Sequence, residues 1–81
     1  MKLNVFVFAA VKDRLGTDRL EIDLPEGSRV ACLKEKLASQ YPQLADLIGH
    51  CAISVDHEYG DDATSLSEGV EIGLIPPVSG G

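Results

Sequence analysis

The segment KLNVFVF at residues 2–8 predicts a β-strand with apolar side chains on both faces. Side chains alternate along a strand, so one face carries the three aliphatic residues Leu3, Val5 and Val7. The other face carries Phe6 and Phe8. A strand that is apolar on both faces is typical of the centre of a sheet, so we expect neighbouring strands on either side and a helix over at least one face.

Two elements follow this strand directly. AAVKDRLG at residues 9–16 predicts one or two helical turns that end at Gly16, a favourable residue just after a helix C-terminus. RLEIDL at residues 19–24 alternates apolar and charged residues, as a half-buried strand does. We expect it to form a hairpin with the first strand.

RVACLKEKLASQY at residues 29–41 predicts the main helix. Its apolar residues recur at helical spacing and form one stripe, namely Val30, Leu33, Leu37 and Tyr41. Ser28 is the expected N-cap, and Pro42 favours an end at Tyr41. A further helical turn is expected in QLADLIG, ending at Gly49.

The remaining residues predict three more strands. These are CAISV at residues 51–55, a very short strand around Tyr59, and a last strand after a turn at Glu68–Gly69. The element order predicts an α+β fold in which one main helix covers a mixed sheet of four to five strands. If the first and last strands pair at the centre they must run parallel, which is the ubiquitin-like β-grasp arrangement. We expect a domain over residues 1–75 and an extended, flexible tail over residues 76–81.

Composition excludes several classes of function. Seven basic and 13 acidic residues give a net charge of −6, whereas nucleic-acid binding needs a basic surface. No apolar stretch reaches the length of a membrane span, and no signal-peptide pattern precedes the first strand, so we expect a cytoplasmic location. His50, His57 and Cys51 lack the spacing of a zinc site, and no metal is expected. Cys32 and Cys51 are expected to be buried free thiols.

The last seven residues, IPPVSGG at 75–81, have an unusual composition. Pro76 and Pro77 fix their φ angles and direct the chain away from the sheet. Gly80 and Gly81 carry no side chains, so the catalytic groups of another protein can approach them closely. The reactive group is then the α-carboxylate of Gly81, which ATP can activate as an acyl adenylate and a sulfur nucleophile can convert to a thiocarboxylate.

Three stretches carry a resemblance to a known family: PPVSGG at 76–81, FAAVKDRLG at 8–16 and LSEGVEI at 66–72. Along its whole length the chain resembles the small subunits of molybdopterin synthases, which are ubiquitin-like sulfur carriers. The resemblance implies that a ubiquitin-activating-like adenylyltransferase uses ATP and a sulfur donor to form a thiocarboxylate on Gly81. The sulfur would then pass to cyclic pyranopterin monophosphate in molybdenum cofactor biosynthesis.

The resemblance also implies how such a carrier meets its partners. The tail residues, Pro76, Pro77, Val78, Ser79 and Gly80, would enter the active site of a large subunit. An apolar patch of Phe8, Tyr59 and Ile75, on the sheet face that the helix leaves uncovered, would bind both partners in turn. The chain would be the non-catalytic sulfur-donor subunit of a heterotetramer, would bind no cofactor itself, and would contact neither nucleic acid nor membrane.

Three other functions stay open at this point. The first alternative is a sulfur carrier for another pathway, such as thiamin synthesis. The second is a ubiquitin-like modifier that is joined to lysines through Gly81. The third alternative is a plain binding module with an idle tail.

Overall fold

The computed structural model describes residues 1–77 and contains one sheet with helices packed on its inner face. The strands are β1 Lys2–Val7, β2 Arg19–Asp23, β3 Ala52–Val55, β4 Glu58–Gly60 and β5 Glu71–Ile75. The helices are α1 Ala9–Leu15, α2 Val30–Gln40 and α3 Ala45–His50, with a 3₁₀ turn at Pro42–Leu44 between the last two.

The strands lie in the order β2-β1-β5-β3-β4. Strands β1 and β5 pair in parallel, and each of the other neighbouring pairs is antiparallel. The predicted hairpin of the first two strands and the parallel pairing of the first and last strands are both confirmed. The sheet is therefore mixed, with its single parallel pair at the centre.

The core lies between the inner face of the sheet and helix α2. The central strands contribute five side chains that are at most 1% exposed: Leu3, Val5, Val7, Ile72 and Leu74. The predicted helical stripe packs against them through Val30, Leu33 and Leu37, each fully buried. Burial of an aliphatic side chain of this size contributes about 1.5–3 kcal/mol, so this layer supplies a large part of the driving force for folding.

The predicted N-cap of helix α2 is wrong. The helix begins at Val30, and the capping position falls on Arg29, whose side chain makes no capping hydrogen bond. Ser28 is buried, and its hydroxyl donates a hydrogen bond of 2.7 Å to the carbonyl of Pro25. The serine therefore closes the preceding turn instead of capping the helix.

The start of helix α2 is capped by backbone from a distant loop. The amide of Val30 donates to the carbonyl of Thr64 at 3.0 Å, and the amide of Ala31 donates to the carbonyl of Asp62 at 3.1 Å. These amides have no partner within the helix, and the loop carbonyls satisfy them as a capping side chain would. No local sequence pattern around Ser28 reports such a long-range cap.

The two glycines that were expected to end helices behave differently. Gly16 adopts a left-handed conformation with φ 72°, and its amide donates to the carbonyl of Lys12 at 2.9 Å, so this prediction is confirmed. Gly49 does not end its helix, because α3 continues to His50 and stops where Cys51 turns extended. A glycine ends a helix when it takes a left-handed conformation, and Gly49 has no positive φ.

The expectation that both cysteines are buried is half wrong, since Cys32 is exposed and Cys51 is buried. Cys32 lies two residues after Val30, which is about 200° around a helix of 3.6 residues per turn. Val30 faces the sheet, so the thiol of Cys32 faces solvent.

We expect Leu33→Ala to lower the free energy of unfolding by about 2–5 kcal/mol, because it leaves a cavity beneath the sheet. Cys32→Ala is the matched control one residue away, and it should change this free energy by less than about 0.5 kcal/mol because the thiol is exposed. Urea denaturation followed by circular dichroism measures both. Equal losses in the two variants would contradict the orientation of helix α2.

Candidate functional site

The outer face of the sheet, opposite helix α2, carries an apolar groove of about 460 Å³. Its walls are the side chains of Phe6, Phe8, Tyr59 and Ile75, and its floor is formed by Gly73 and Ser54. These residues come from four strands or strand ends that are far apart in sequence. The groove therefore forms because the order of strands in the sheet brings these residues together.

Gly73 lies at the centre of the groove floor, and the Ser54 hydroxyl occupies the space that a side chain there would take. In the register of the sheet, Gly73 stands beside Phe6 on one side and beside Ser54 on the other. A Cβ atom at Gly73 would collide with the hydroxyl of Ser54, although it would reach no closer than 3.7 Å to the ring of Phe8. Gly73 has no positive φ, so a side chain added here would be limited by the Ser54 hydroxyl rather than by backbone conformation.

The three predicted patch residues all line this groove. Phe8 is 47% exposed and Tyr59 is 76% exposed, while Ile75 is half-buried at the end of β5. Large apolar side chains with this exposure mark interaction surfaces when they are contiguous. The structure places them together, and their binding role stays a prediction.

Phe8 is positioned by an unusual backbone turn. It is still extended, with φ −133° and ψ 159°, but the next residue, Ala9, has φ 49°. The left-handed region costs a residue other than glycine about 1–2 kcal/mol. The left-handed backbone at Ala9 lets helix α1 start directly after the strand while Phe8 stays on the outer face. Such local backbone strain is often found at functional sites.

One end of the groove is polar and held by a tight turn. Strands β3 and β4 are joined through Asp56 and His57, which have φ 49° and 70°. These values at both central positions are those of a type I′ hairpin turn. The Asp56 carboxylate accepts a hydrogen bond of 2.9 Å from the amide of Glu71, and His57 Nε2 lies 3.1 Å from Glu71 Oε2.

Sequence reasoning did not assign the groove floor or this polar end to the site. Gly73 did carry a signal, because a glycine inside the strand pattern EIGLI marks a close approach of neighbouring groups. Ser54, His57 and Glu71 carried none, since they become neighbours of the patch only through the strand register. Phe6 was assigned to the correct face but not to the patch.

The root of the tail lies next to the groove. Strand β5 ends at Ile75, a groove residue, and continues into the half-buried Pro76 and the exposed Pro77. The predicted tail residues Val78, Ser79, Gly80 and Gly81 lie outside the described residues. Their role in sulfur transfer stays a prediction.

Other reactive groups are placed less favourably for chemistry. Within residues 1–77 no three His, Cys, Asp or Glu side chains are grouped so that they would hold a metal ion. The Cys51 thiol donates to the carbonyl of Leu47 at 3.3 Å, and burial raises its pKa, an effect that the charge of Lys34 partly opposes.

Among residues 1–77, no helix is long and apolar enough to span a membrane.

Comparison with known proteins extends these observations to the whole chain. The sequence pattern of the ThiS family matches residues 5–81. The molybdopterin synthase sulfur carrier subunit of Dictyostelium discoideum is 36% identical over 83 residues, which cover 99% of this chain and 96% of that protein.

Solved structures agree with the sequence matches. The putative molybdopterin converting factor, subunit 1, from Pyrococcus furiosus superposes with a TM-score of 0.86 at 29% identity, covering 96% of this chain and 99% of that one. A chain in the complex of subunits 1 and 2 of molybdopterin-converting factor from Helicobacter pylori superposes with a TM-score of 0.64 at 26% identity, covering 100% of both chains. The predicted β-grasp fold and the resemblance to molybdopterin synthase small subunits are thus confirmed.

We expect Gly73→Ala to lower the free energy of unfolding by about 1–3 kcal/mol, because the new methyl group collides with the Ser54 hydroxyl. Ser54→Ala removes that hydroxyl, so adding Gly73→Ala to it should cost much less. A double-mutant cycle measured by urea denaturation gives the coupling between the two positions. Additive effects would show that the two side chains do not meet.

Proposed function

Because the chain belongs to the ThiS family, we propose that it is the sulfur-carrier subunit of a molybdopterin synthase. The observation that carries this proposal is the similarity to the Dictyostelium discoideum carrier subunit, which covers 99% of this chain and 96% of that protein. The arrangement of an apolar groove beside the root of a Gly-Gly tail supports it.

The proposed chemistry takes place on the carboxylate of Gly81. An oxygen of this carboxylate attacks the α-phosphate of ATP in a ubiquitin-activating-like adenylyltransferase, and pyrophosphate leaves. Sulfur at the oxidation level of sulfide, released by the sulfur donor, then attacks the acyl carbon, AMP leaves, and a thiocarboxylate remains. Its sulfur passes to cyclic pyranopterin monophosphate in the large subunit, so the carrier supplies a reactant and no catalytic side chain.

The tail geometry fits delivery into a deep active site. Pro76 and Pro77 stiffen the exit from β5, and the six residues from Pro76 to Gly81 span at most about 20 Å at 3.3–3.6 Å per residue. Val78 and Ser79 are small, and the two glycines are the thinnest possible end. Docking of the domain would therefore hold Gly81 at a high effective concentration near the reacting substrate.

The groove is the proposed docking surface for the large subunit. Phe8, Tyr59 and Ile75 present apolar area that is exposed in the isolated chain, and burial of that area would drive association. The complex from Helicobacter pylori, in which subunit 1 meets subunit 2, supports a partner of this kind. We propose that two carriers bind a dimer of large subunits, and that the activating enzyme uses the same groove at an earlier step.

The test is intact mass spectrometry of the chain after incubation with its activating enzyme, ATP and a sulfur source. We expect the mass gain of one oxygen exchanged for sulfur, followed by loss of that gain when the large subunit and cyclic pyranopterin monophosphate are added. A chain with one residue added after Gly81 is the matched control, and it should fold normally yet gain no sulfur. Sulfur on the extended chain would refute the terminal-carboxylate mechanism.

The same reaction separates the alternatives. Transfer of the sulfur to a thiazole precursor, and none to the pterin, would indicate a thiamin-type carrier. Adducts with lysines that resist thiol reductants would indicate a protein modifier. A chain that gains no sulfur from an enzyme active on another carrier would indicate a binding module.

A further inference from the structure

The outer edge of strand β2 is a second surface at which another protein could meet this chain. Strand β2 lies at one end of the sheet, and within residues 1–77 the only strand that pairs with it is β1. Strand β1 separates it from β5, the strand that leads into the tail. No residue of β2 lines the groove, so this edge is a different surface.

The hydrogen bonds between β1 and β2 show which backbone groups of β2 point away from the sheet. The α-amino group of Met1 donates to the carbonyl of Leu24 at 2.7 Å, and the amide of Leu24 donates to the carbonyl of Met1 at 3.0 Å. At the other end of the pair, the amide of Val7 donates to the carbonyl of Asp18 at 3.0 Å. Hydrogen-bonded positions alternate with non-bonded ones in an antiparallel pair. The residues of β2 whose backbone groups point to the free edge are therefore Arg19, Glu21 and Asp23.

One of these three positions already has its hydrogen bonds within the chain. The Thr17 hydroxyl accepts a bond of 3.4 Å from the amide of Arg19 and donates one of 3.2 Å to its carbonyl. This contact agrees with the alternation, since it reaches Arg19 from the side away from β1. The part of the edge that a further strand could bond without displacing Thr17 is hence centred on Glu21 and Asp23.

The side chains of this part of the edge are acidic. Glu21 and Asp23 are both exposed on the outer face. The Asp23 carboxylate lies 3.5 Å from the α-amino group of Met1, whereas Glu21 makes no ion pair within residues 1–77 and stands opposite the neutral Asn4. Opposite charges on directly facing residues of neighbouring strands stabilise the pairing. A strand added at this edge would thus be favoured by a basic residue facing Glu21.

We propose that the free edge of β2 pairs with an extended segment of another protein that carries a lysine or arginine opposite Glu21. Main-chain hydrogen bonds would continue the sheet, and the ion pair with Glu21 would fix the register of the added strand. This inference goes beyond the proposed function, because the edge contains neither a groove residue nor the tail.

The charge pattern disfavours a second copy of this chain as the occupant. In the antiparallel register that is centred on Glu21, Arg19 of each chain would face Asp23 of the other, which is favourable. The two Glu21 carboxylates would face each other, and like charges directly opposite destabilise a strand pair. A copy with Glu21→Lys would instead have an opposite charge at every facing position, so this variant is a probe for the proposed edge.

The experiment titrates the unlabelled Glu21→Lys chain into the ¹⁵N-labelled wild-type chain and follows the wild-type amides by NMR at low salt. We expect the amides of Glu21 and Asp23 to shift and to exchange with solvent at least about threefold more slowly, because they become hydrogen bonded. The amides of Leu20 and Ile22 already face β1 and should change less. Added salt should reverse the shifts, since it screens the exposed ion pair.

Glu35→Lys is the matched control, because it makes the same charge change on the exposed surface of helix α2. It has the same net charge as the probe and should not shift the β2 amides of the wild-type chain.

A synthetic peptide keeps the test decisive if Glu21→Lys does not fold, which circular dichroism reveals. A blocked peptide of alternating threonine and lysine should cause the same β2 shifts, and one of alternating threonine and glutamate should not.

Three results would overturn the inference. Unchanged β2 amides with both the Glu21→Lys chain and the lysine peptide would show that the edge does not accept a strand. Equal shifts with Glu35→Lys or with the glutamate peptide would show that the charge opposite Glu21 does not select the occupant. Equal shifts with the unlabelled wild-type chain would show that the occupant is a second copy.

Discussion

The parallel pairing of strands β1 and β5 is the interaction on which the rest of the molecule depends. Strand β1 ends at Val7 and strand β5 begins at Glu71, so 63 residues lie between them. These residues form β2, the helices, β3 and β4. A parallel pair cannot be closed by a tight turn, so a long connection must cross the sheet. Here that connection includes helix α2, which covers the inner face and buries the aliphatic side chains of both central strands.

Strand β5 links the core to the candidate site through simple alternation. Ile72 and Leu74 point inward and are fully buried, whereas Gly73 and Ile75 lie on the outer face and form part of the groove. The next residue, Pro76, begins the tail. One strand therefore anchors the fold, lines the groove that we propose as the docking surface and fixes the point where the tail begins.

Much of the fold could be predicted from local patterns, because the spacing of apolar residues along a strand or helix shows which side chains are buried. The two-faced pattern of β1 placed it at the centre, and the spacing of Val30, Leu33 and Leu37 identified the main helix. Features that depend on distant residues were missed. The cap of α2 comes from the loop around Thr64, and the groove floor requires Gly73 to stand opposite Ser54, a relation that only the strand register defines.

The central claim is that β5 is a rigid support held by both of its neighbours, and amide hydrogen exchange measured by NMR tests it most directly. Amides that open only when the whole domain unfolds report the global free energy of unfolding. We expect the β5 amides to exchange at this slowest rate, while those of the short edge strand β4 exchange faster through local opening. Exchange of β5 as fast as that of β4 would show that the groove and the tail do not share a rigid base.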